Sequence, residues 1–217
     1  MREGVAPEKI HFVGNLMIDT LVKLLDRAAK SSLPNVNGSY ALVTLHRPSN
    51  VDEPVMLRKI VETLNKLSSS LPVVFPIHPR TRQRICDFKL NLASSLHLLE
   101  PAGYLEFLGL QREARLVITD SGGIQEEAPS LGKPVLVTRN NTERGEAIAA
   151  GTARLVGTDT AELVAQASAL LGGGAAYERM VKARNPFGDG AAAQRTVTAC
   201  LRFLTKLRPL LPAPFTG

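Results

Sequence analysis

The sequence predicts an α/β fold in which helices cover both faces of a doubly wound parallel β-sheet of the Rossmann type. Two observations support this class. Short apolar runs alternate along the chain with longer segments in which apolar residues recur at three and four positions, a pattern typical of buried strands joined by amphipathic helices. Aromatic residues make up 5% of the chain and Trp is absent, so the core is aliphatic, as in parallel sheets buried on both faces.

Six apolar runs are the predicted strands, namely residues 40–45, 72–77, 96–99, 115–119, 134–138 and 153–156. Helical periodicity lies between them, most clearly in residues 54–67, 104–113 and 122–131. A strand, a helix and a further strand in one sheet are joined by a right-handed crossover, which makes the two strands parallel. We expect residues 40–184 to form this Rossmann-like domain.

The segment before the domain, residues 1–39, is predicted to be a linker. It contains an apolar run at 10–13 that we interpret as a short strand, and a helical pattern at 17–29. A loop rich in Ser, Pro, Asn and Gly follows at 31–39. The start of the chain has no hydrophobic signal segment.

The segment after the domain, residues 185–217, is predicted to hold a crossing helix and a tail. A glycine-rich turn at 172–174 and a helix that runs to residue 183 precede it. The last helix, predicted at 191–207, carries an apolar stripe that we expect to drive self-association of the isolated chain. The stripe consists of Val197, Leu201, Leu204, Leu207 and Leu210.

Composition excludes several classes of function. The formal charge is +6, but Lys and Arg are scattered and not interleaved with aromatic residues, which argues against a nucleic-acid partner. No apolar run approaches the roughly 20 residues that span a bilayer, so no membrane partner is expected. Cys86 and Cys200 lie far apart in the sequence, as free thiols of a cytoplasmic protein do. Arg80, Arg82 and Arg84 are typical of a solvated helix face.

Ligands of such sheets bind beyond the carboxyl ends of the strands, and polar residues follow four of the predicted strands. They are His46 and Arg47, His78, the segment 120–123 and the segment 139–144. His46 and His78 are predicted to share one edge, which favours an anion or proton-transfer site. A purely structural role for each histidine is the alternative. Neither lies at metal-ligand spacing from Cys or a carboxylate, so no metal is expected.

The strongest local motif is TDSGGIQEEA at 119–128, at a junction of strand and helix. Ser121, Gly122 and Gly123 place N–H groups and a hydroxyl where a diphosphate can bind, at the positive end of a helix. Alternatively, Asp120 or Ser121 caps the helix and the glycines form the turn.

Charged side chains next to this motif allow two interpretations each. Glu126 and Glu127 complement the helix dipole if they lie near its first turn, or one of them accepts the hydroxyls of a ribose. Arg139 and Arg144 pair with Glu143 or Glu146 on the surface, or the guanidinium of Arg144 binds a phosphate oxygen opposite the glycines.

Seven motifs in the same order resemble the second half of the non-hydrolysing UDP-N-acetylglucosamine 2-epimerases. They are VGN at 13–15, TLHRPSN at 44–50, IHP at 77–79, TDSGGIQEEAPSLGKPVL at 119–136, TER at 142–144, AGT at 150–152 and NPFGDG at 185–190. The resemblance implies the second Rossmann domain of a GT-B architecture that binds UDP or a UDP-N-acetylhexosamine. Two departures are HRPSN, where the family often has His-Arg-Arg-Glu-Asn, and Gly145, where Pro is frequent.

Carried over to this sequence, the resemblance implies a role for each matched position. His46 and Arg144 contact the diphosphate, and Glu127 binds the ribose. The turn of Ser121, Gly122 and Gly123 supplies donors, Phe107 lies near the uracil, and His78 lies in the sugar cleft. His46 and His78 are therefore the catalytic candidates.

The family reaction inverts C2 of the sugar by eliminating UDP to a glycal and adding it back, without nicotinamide, cofactor or metal. The resemblance places the carboxylates that move the C2 proton in a first domain. We expect this chain to be a half-enzyme that lacks that domain and is inactive alone, with a separate N-terminal half or a second copy as its partner. The alternatives are a stand-alone UDP-sugar-binding module and a GT-B glycosyltransferase domain.

Overall fold

A computed structural model of the chain describes residues 4–28, 40–157 and 159–205. Six parallel strands form one sheet in the order β3-β2-β1-β4-β5-β6. The strands are β1 Ala41–Thr44, β2 Val73–Pro76, β3 Leu96–Leu99, β4 Leu116–Thr119, β5 Val135–Val137 and β6 Ala153–Leu155. All six coincide with the predicted runs, and the order is that of a doubly wound sheet with its switch point between β1 and β4.

The centre of the sheet is dry. Ala41 of β1 is in register with Val73 of β2 on one side and with Leu116 of β4 on the other, and all three are fully buried. Strands paired on both edges and covered on both faces need side chains that lose nothing on leaving water, which explains why aliphatic residues form the runs.

Ten α-helices surround the sheet. They are α1 Leu16–Leu24, α2 Pro48–Val51, α3 Pro54–Ser68, α4 Pro79–Asp87, α5 Tyr104–Glu113, α6 Gly122–Glu127, α7 Gly145–Ala149, α8 Thr160–Leu171, α9 Ala175–Lys182 and α10 Ala192–Thr205, as far as the chain is described. Leu64 of α3 and Leu163 of α8 belong to the core on one face of the sheet. Leu110 of α5 and Ala128 after α6 belong to the core on the other face.

The predicted helices at 54–67 and 104–113 correspond to α3 and α5. The predicted helix at 122–131 consists of α6 followed by a 3₁₀ turn, Ala128–Leu131. Gly132 ends that turn in the left-handed region, with φ of 65°, a conformation that glycine adopts without a steric penalty.

The predicted strand at 10–13 is wrong. These residues have no regular structure, and the described sheet ends in β3 and β6, so the segment pairs with neither edge of the sheet. The predicted helix at 17–29 corresponds to α1 and a 3₁₀ turn, Leu25–Arg27. The loop at 31–39 and the chain beyond Thr205 lie outside the described residues.

The two flanks pack on each other. Helix α1 contacts both α10 and α6, and Asp19 of α1 accepts hydrogen bonds from the amides of Ala192 and Ala193, which caps the start of α10. Glycine is needed at Gly14 because its φ is 93°, and at Gly188 because a Cβ there would lie only 3.2 Å from the backbone nitrogen of Asn15. The flanks thus form one structural unit beside α6.

Helix α10 exposes apolar side chains along its length. Val197 is 57% exposed, Phe203 86% and Leu204 74%, which agrees with the predicted stripe as far as it is described. Leu207 and Leu210 of that stripe lie outside the described residues. Within the described ranges no helix is both long enough and apolar enough to cross a bilayer.

Candidate functional site

The polar residues predicted to share an edge meet beside the switch point of the sheet. His46 follows β1 and Asp120 follows β4, and these two strands are neighbours. The loop after β5 brings Arg144 to the same place. We call this group the switch-point edge and define it as His46, Asp120–Gly123 and Arg144.

Asp120 organises the turn that carries His46. Its carboxylate is fully buried and accepts hydrogen bonds from the backbone amides of His46, at 3.1 and 3.2 Å, and of Arg47, at 2.9 Å. Asn50 donates to the same carboxylate at 3.0 Å and also to the carbonyl of Thr138 at 3.0 Å. Asp120 therefore links β1 to β4 through the turn after β1, and the alternative that it caps α6 is wrong.

The ring of His46 completes this set. Its Nδ1 lies 3.1 Å from Asp120 Oδ1, and 43% of the side chain is exposed. The hydrogen bond to Asp120 raises the pKa of His46 against the opposing effect of burial. Burial alone would raise the pKa of Asp120, but the hydrogen bonds from His46, Arg47 and Asn50 outweigh it, so that pKa is lowered. Both shifts favour an ion pair.

His78 lies close to His46, with ring centroids 6.3 Å apart. It precedes α4 and its Nδ1 accepts the amide of Arg80 at 3.2 Å, which caps that helix. His78 is exposed, so the capping contact leaves its Nε2 available to a ligand. The prediction that both histidines share one edge is correct.

The glycine turn opens α6 toward the edge. Ser121 precedes the helix in an extended conformation and its side chain forms no capping hydrogen bond; its amide donates to Thr119 Oγ1 at 2.9 Å. The first amides of a helix have no carbonyl partner within it. Ser121, Gly122 and Gly123 are all half-buried, so a hydroxyl and free N–H groups lie at an accessible surface.

Arg144 lies across the glycine turn. A Cβ built on Gly122 would be 3.4 Å from Arg144 Nη2, and one on Gly123 would be 3.2 Å from Met17 Cε. Arg144 Nε donates to Glu126, whose other oxygen accepts from Asn15 at 2.6 Å. The alternative of surface pairing is correct for Arg139, which pairs with Glu143, but wrong for Arg144, because the buried Glu126 carboxylate is a better partner in a less polar environment.

The loop that carries Arg144 is fixed to α6 by hydrogen bonds. Thr142 Oγ1 donates to Gln125 Oε1 at 2.6 Å and accepts the amide of Arg144 at 3.1 Å. Gln125 in turn donates to the carbonyl of Ser121 at 3.1 Å. Glu143 pairs with Arg139 at 2.7 and 2.9 Å, so these two charges satisfy each other beside the edge.

Glu126 and Glu127 end α6 and do not lie in its first turn. The interpretation that they complement the helix dipole is therefore wrong. Glu127 is 3% exposed and accepts hydrogen bonds from Tyr104 at 3.2 Å and Gln111 at 3.4 Å. Burial raises its pKa despite these two donors. Tyr104 and Gln111 belong to α5, which therefore positions the carboxylate.

Phe107 lies on α5 and packs against the core on the same face as Leu110. Its side chain is half-buried, so part of the ring remains accessible.

The arginines of α4 pair with acidic side chains. Arg80 and Arg84 share Asp52, and Arg82 bonds Glu100 at 2.7 Å, in agreement with a solvated helix face.

Several contributors to the site were missed from the sequence. Asn50 and Asn15 hold Asp120 and Glu126, and Gln125 fixes the loop of Arg144. Asn15 is the last residue of the motif VGN, and Asn50 is the last residue of the motif TLHRPSN. Their positions in these motifs are the signal that could have identified them. In the described part of the chain, His, Cys, Asp and Glu form no group of three that could hold a metal ion.

Comparisons with known proteins show which family the chain resembles. A model of the family described as UDP-N-acetylglucosamine 2-epimerase matches residues 1–201. The UDP-N-acetylglucosamine 2-epimerase of Methanococcus maripaludis is 42% identical over 172 residues, which is 73% of this chain and 47% of that protein. The chain spans about half the length of the curated relatives it matches.

Solved structures extend the similarity to the fold. The S. aureus MnaA–UDP co-structure matches with a TM-score of 0.86 and 33% identity over 99% of this chain and 60% of that one. The Neisseria meningitidis UDP-GlcNAc 2-epimerase bound to UDP-GlcNAc matches with a TM-score of 0.81 and 35% identity, covering 93% and 57% of the two chains. The rhamnosyltransferase SpnG, at 19% identity and a TM-score of 0.52, shares the fold alone. The fold is that of GT-B epimerases and glycosyltransferases.

Proposed function

The chain belongs to the UDP-N-acetylglucosamine 2-epimerase family, and on that premise we propose that its switch-point edge binds the UDP of a UDP-N-acetylhexosamine. The bound group takes part in the interconversion of UDP-N-acetylglucosamine and UDP-N-acetylmannosamine. The proposal includes the division of the chain into a linker at 1–39, a UDP-binding domain at 40–184 and a crossing helix and tail at 185–217.

The observation that carries the proposal is the position of Arg144 over Gly122, with the guanidinium 3.4 Å from where a Cβ would be. A diphosphate placed at the turn meets N–H donors of Gly122 and Gly123 on one side and a planar cation on the other. Charge-assisted hydrogen bonds of this kind are stronger than neutral ones and fix the orientation of the phosphate. Ser121 adds a hydroxyl.

Other residues of the edge account for the rest of the nucleotide. His46 contributes a second positive group to the diphosphate. Glu127, whose oxygens point toward α5, accepts the ribose hydroxyls in exchange for one of its present donors. Phe107, on the same helix as Tyr104, packs against the uracil. His78 faces His46 and lies on the sugar side of the edge.

The reaction needs a firm hold on a departing group. When UDP is eliminated with the C2 proton, negative charge builds on the diphosphate oxygen that leaves the sugar, and fixed cationic donors stabilise that charge. Arg144 and His46 are already oriented by Glu126 and Asp120, so they need not reorganise. The same hold keeps UDP in place for addition to the opposite face of the glycal.

The test is the affinity of the chain for UDP, measured by titration calorimetry. Arg144→Ala removes a charge-assisted contact and is expected to weaken binding by about 1.5–3 kcal/mol, roughly 13- to 160-fold. Glu127→Ala is expected to weaken the binding of UDP more than the binding of pyrophosphate, because it removes the ribose contact alone and pyrophosphate has no ribose. Pyrophosphate is therefore the probe that separates the two subsites.

Arg82→Ala is the matched control. It removes the same charge from a helix at the same end of the sheet, but its partner Glu100 is 81% exposed, and exposed pairs contribute little. Binding by Arg82→Ala should equal that of the unaltered chain. Equal UDP affinity in the unaltered chain, Arg144→Ala and Glu127→Ala would show that the nucleotide does not bind at this edge.

A further inference from the structure

The two histidines of the edge differ in how their Nδ1 atoms are bonded. His78 Nδ1 accepts the amide of Arg80, so the proton of its neutral ring lies on Nε2. His46 Nδ1 faces Asp120 Oδ1 at 3.1 Å, and a carboxylate can only accept, so the proton of the neutral His46 ring lies on Nδ1. The neutral forms of these two rings therefore present opposite groups to a ligand.

This difference matters for an anion. A neutral His46 that donates Nδ1–H to Asp120 exposes Nε2 as a lone-pair acceptor, which repels a phosphate oxygen. Only the imidazolium has protons on both nitrogens and can donate to Asp120 and to the ligand together. Asp120 is well suited to enforce this state, because it is fully buried and also bonded to the amides of His46 and Arg47.

We propose that Asp120 is a positioning residue that fixes the Nδ1–H of His46, so that His46 binds the diphosphate only as the imidazolium and UDP binding takes up a proton. The inference rests on the proposed function, since it assumes that UDP binds at this edge. Affinity is then greatest at pH values where the free ring is already protonated. It falls as the pH rises through the pKa of His46 in the free protein.

The charged groups around His46 come from several elements and act in both directions. Arg47 on the same turn lowers the pKa of His46, while Asp120 raises it. His78, at the start of α4, is the neighbouring titratable ring. Arg139, after β5, attracts Asp120 electrostatically and forms an ion pair with Glu143. Arg47 also attracts Glu143 electrostatically. The guanidinium groups stay charged throughout the neutral range, so they contribute a constant positive charge around His46.

Proton uptake is measured by calorimetry of UDP binding in buffers of different ionisation enthalpy. The measurement is made at about pH 8, where the terminal phosphate of UDP is fully ionised because its second pKa is about 6. The unaltered chain is expected to take up protons on binding UDP, and the uptake per UDP should rise toward one as the pH rises through the pKa of the free His46 ring. His46→Gln, which keeps a donor but cannot titrate, should bind with no uptake.

Asp120→Asn is the decisive variant, because its amide can donate to Nδ1 and so permits the neutral ring with Nε2–H. UDP should then bind without proton uptake, and the affinity should lose most of its dependence on pH. Asp52→Asn makes the same chemical change at an ion pair with Arg80 and Arg84 that does not involve His46, and it should keep the uptake of the unaltered chain.

Nitrogen NMR of the unaltered chain provides a second measurement should Asp120→Asn fail to fold. The His46 ring is expected to change from the Nδ1–H tautomer to the imidazolium when UDP is added at the same pH. UDP binding without proton uptake and with a neutral His46 ring would overturn this inference alone. Equal uptake by Asp120→Asn and the unaltered chain would also overturn it, whereas failure of the unaltered chain to bind UDP would overturn the proposed function itself.

Discussion

Asn185 supports the candidate site from behind, and its removal gives a sharp test of the packing. Its amide nitrogen donates to the carbonyl of Glu126 at 2.8 Å and to Ser130 Oγ at 2.6 Å. Its amide oxygen accepts the backbone N–H of Phe187 at 3.0 Å. One side chain therefore joins the loop after α9 to the end of α6, where the carboxylate that pairs with Arg144 is located.

Asn185→Ala removes all three hydrogen bonds at a position that is 9% exposed. Each is worth about 0.5–1.5 kcal/mol net, and water can reach the half-buried Ser130 more easily than the Glu126 carbonyl. We expect a loss of about 3 kcal/mol in the free energy of unfolding. For a domain of this size the melting temperature then falls by roughly 6–12 °C.

The assay is thermal unfolding followed by circular dichroism, with denaturant unfolding as a second measure of the free energy. Asn91→Ala is the control, because Asn91 is exposed and contributes its backbone carbonyl, not its side chain, to the bond from Asn65. Surface changes of this kind stay within about 0.5 kcal/mol. If the two variants melt together, the three hydrogen bonds do not stabilise the fold as argued.

Two further outcomes are expected. The purified chain should not exchange the C2 proton of UDP-N-acetylglucosamine with solvent, because Asp120, Glu126 and Glu127 are all buried and hydrogen-bonded. General acid/base groups contribute roughly 10²–10⁴-fold each to the rate of such a proton transfer. Deuterium appearing at C2 by NMR would contradict this expectation. The chain should also self-associate through α10. Leu204→Glu, at a side chain that is 74% exposed, should shift the mass measured by light scattering toward that of the monomer. Equal masses for the variant and the unaltered chain would exclude α10 as the association surface.

The inner strands β1, β2, β4 and β5 could be predicted because nearly all of their residues are buried, which requires apolar side chains. The segment at 10–13 has the same local pattern, but a strand forms only where a neighbour can pair with it, and pairing is not visible in a local window. Instead, Ile10 ends a 3₁₀ turn, Pro7–Lys9, where its amide donates to the carbonyl of Pro7 at 3.0 Å.

The edge of the site was predictable for a topological reason, since the carboxyl ends of parallel strands meet on one side of the sheet. The partners of its side chains were not. Asp120 accepts a hydrogen bond from His46, 74 positions away in the sequence, and Arg144 donates to Glu126 although Glu143 is adjacent in the sequence. Such choices depend on which carboxylate is buried, and burial follows from the packing of α1, α5 and α6.

The packing of α1 between α6 and α10 has a consequence for how this domain can be cut and rejoined. A fragment that began at β1 would contain all six described strands, yet it would lose Asp19 from the start of α10 and Asn15 from Glu126. A chimaera that joined a different domain in front of this one should therefore place its junction before Val13, not at the sheet. The boundary that matters to an engineer is set by two side chains outside the Rossmann core.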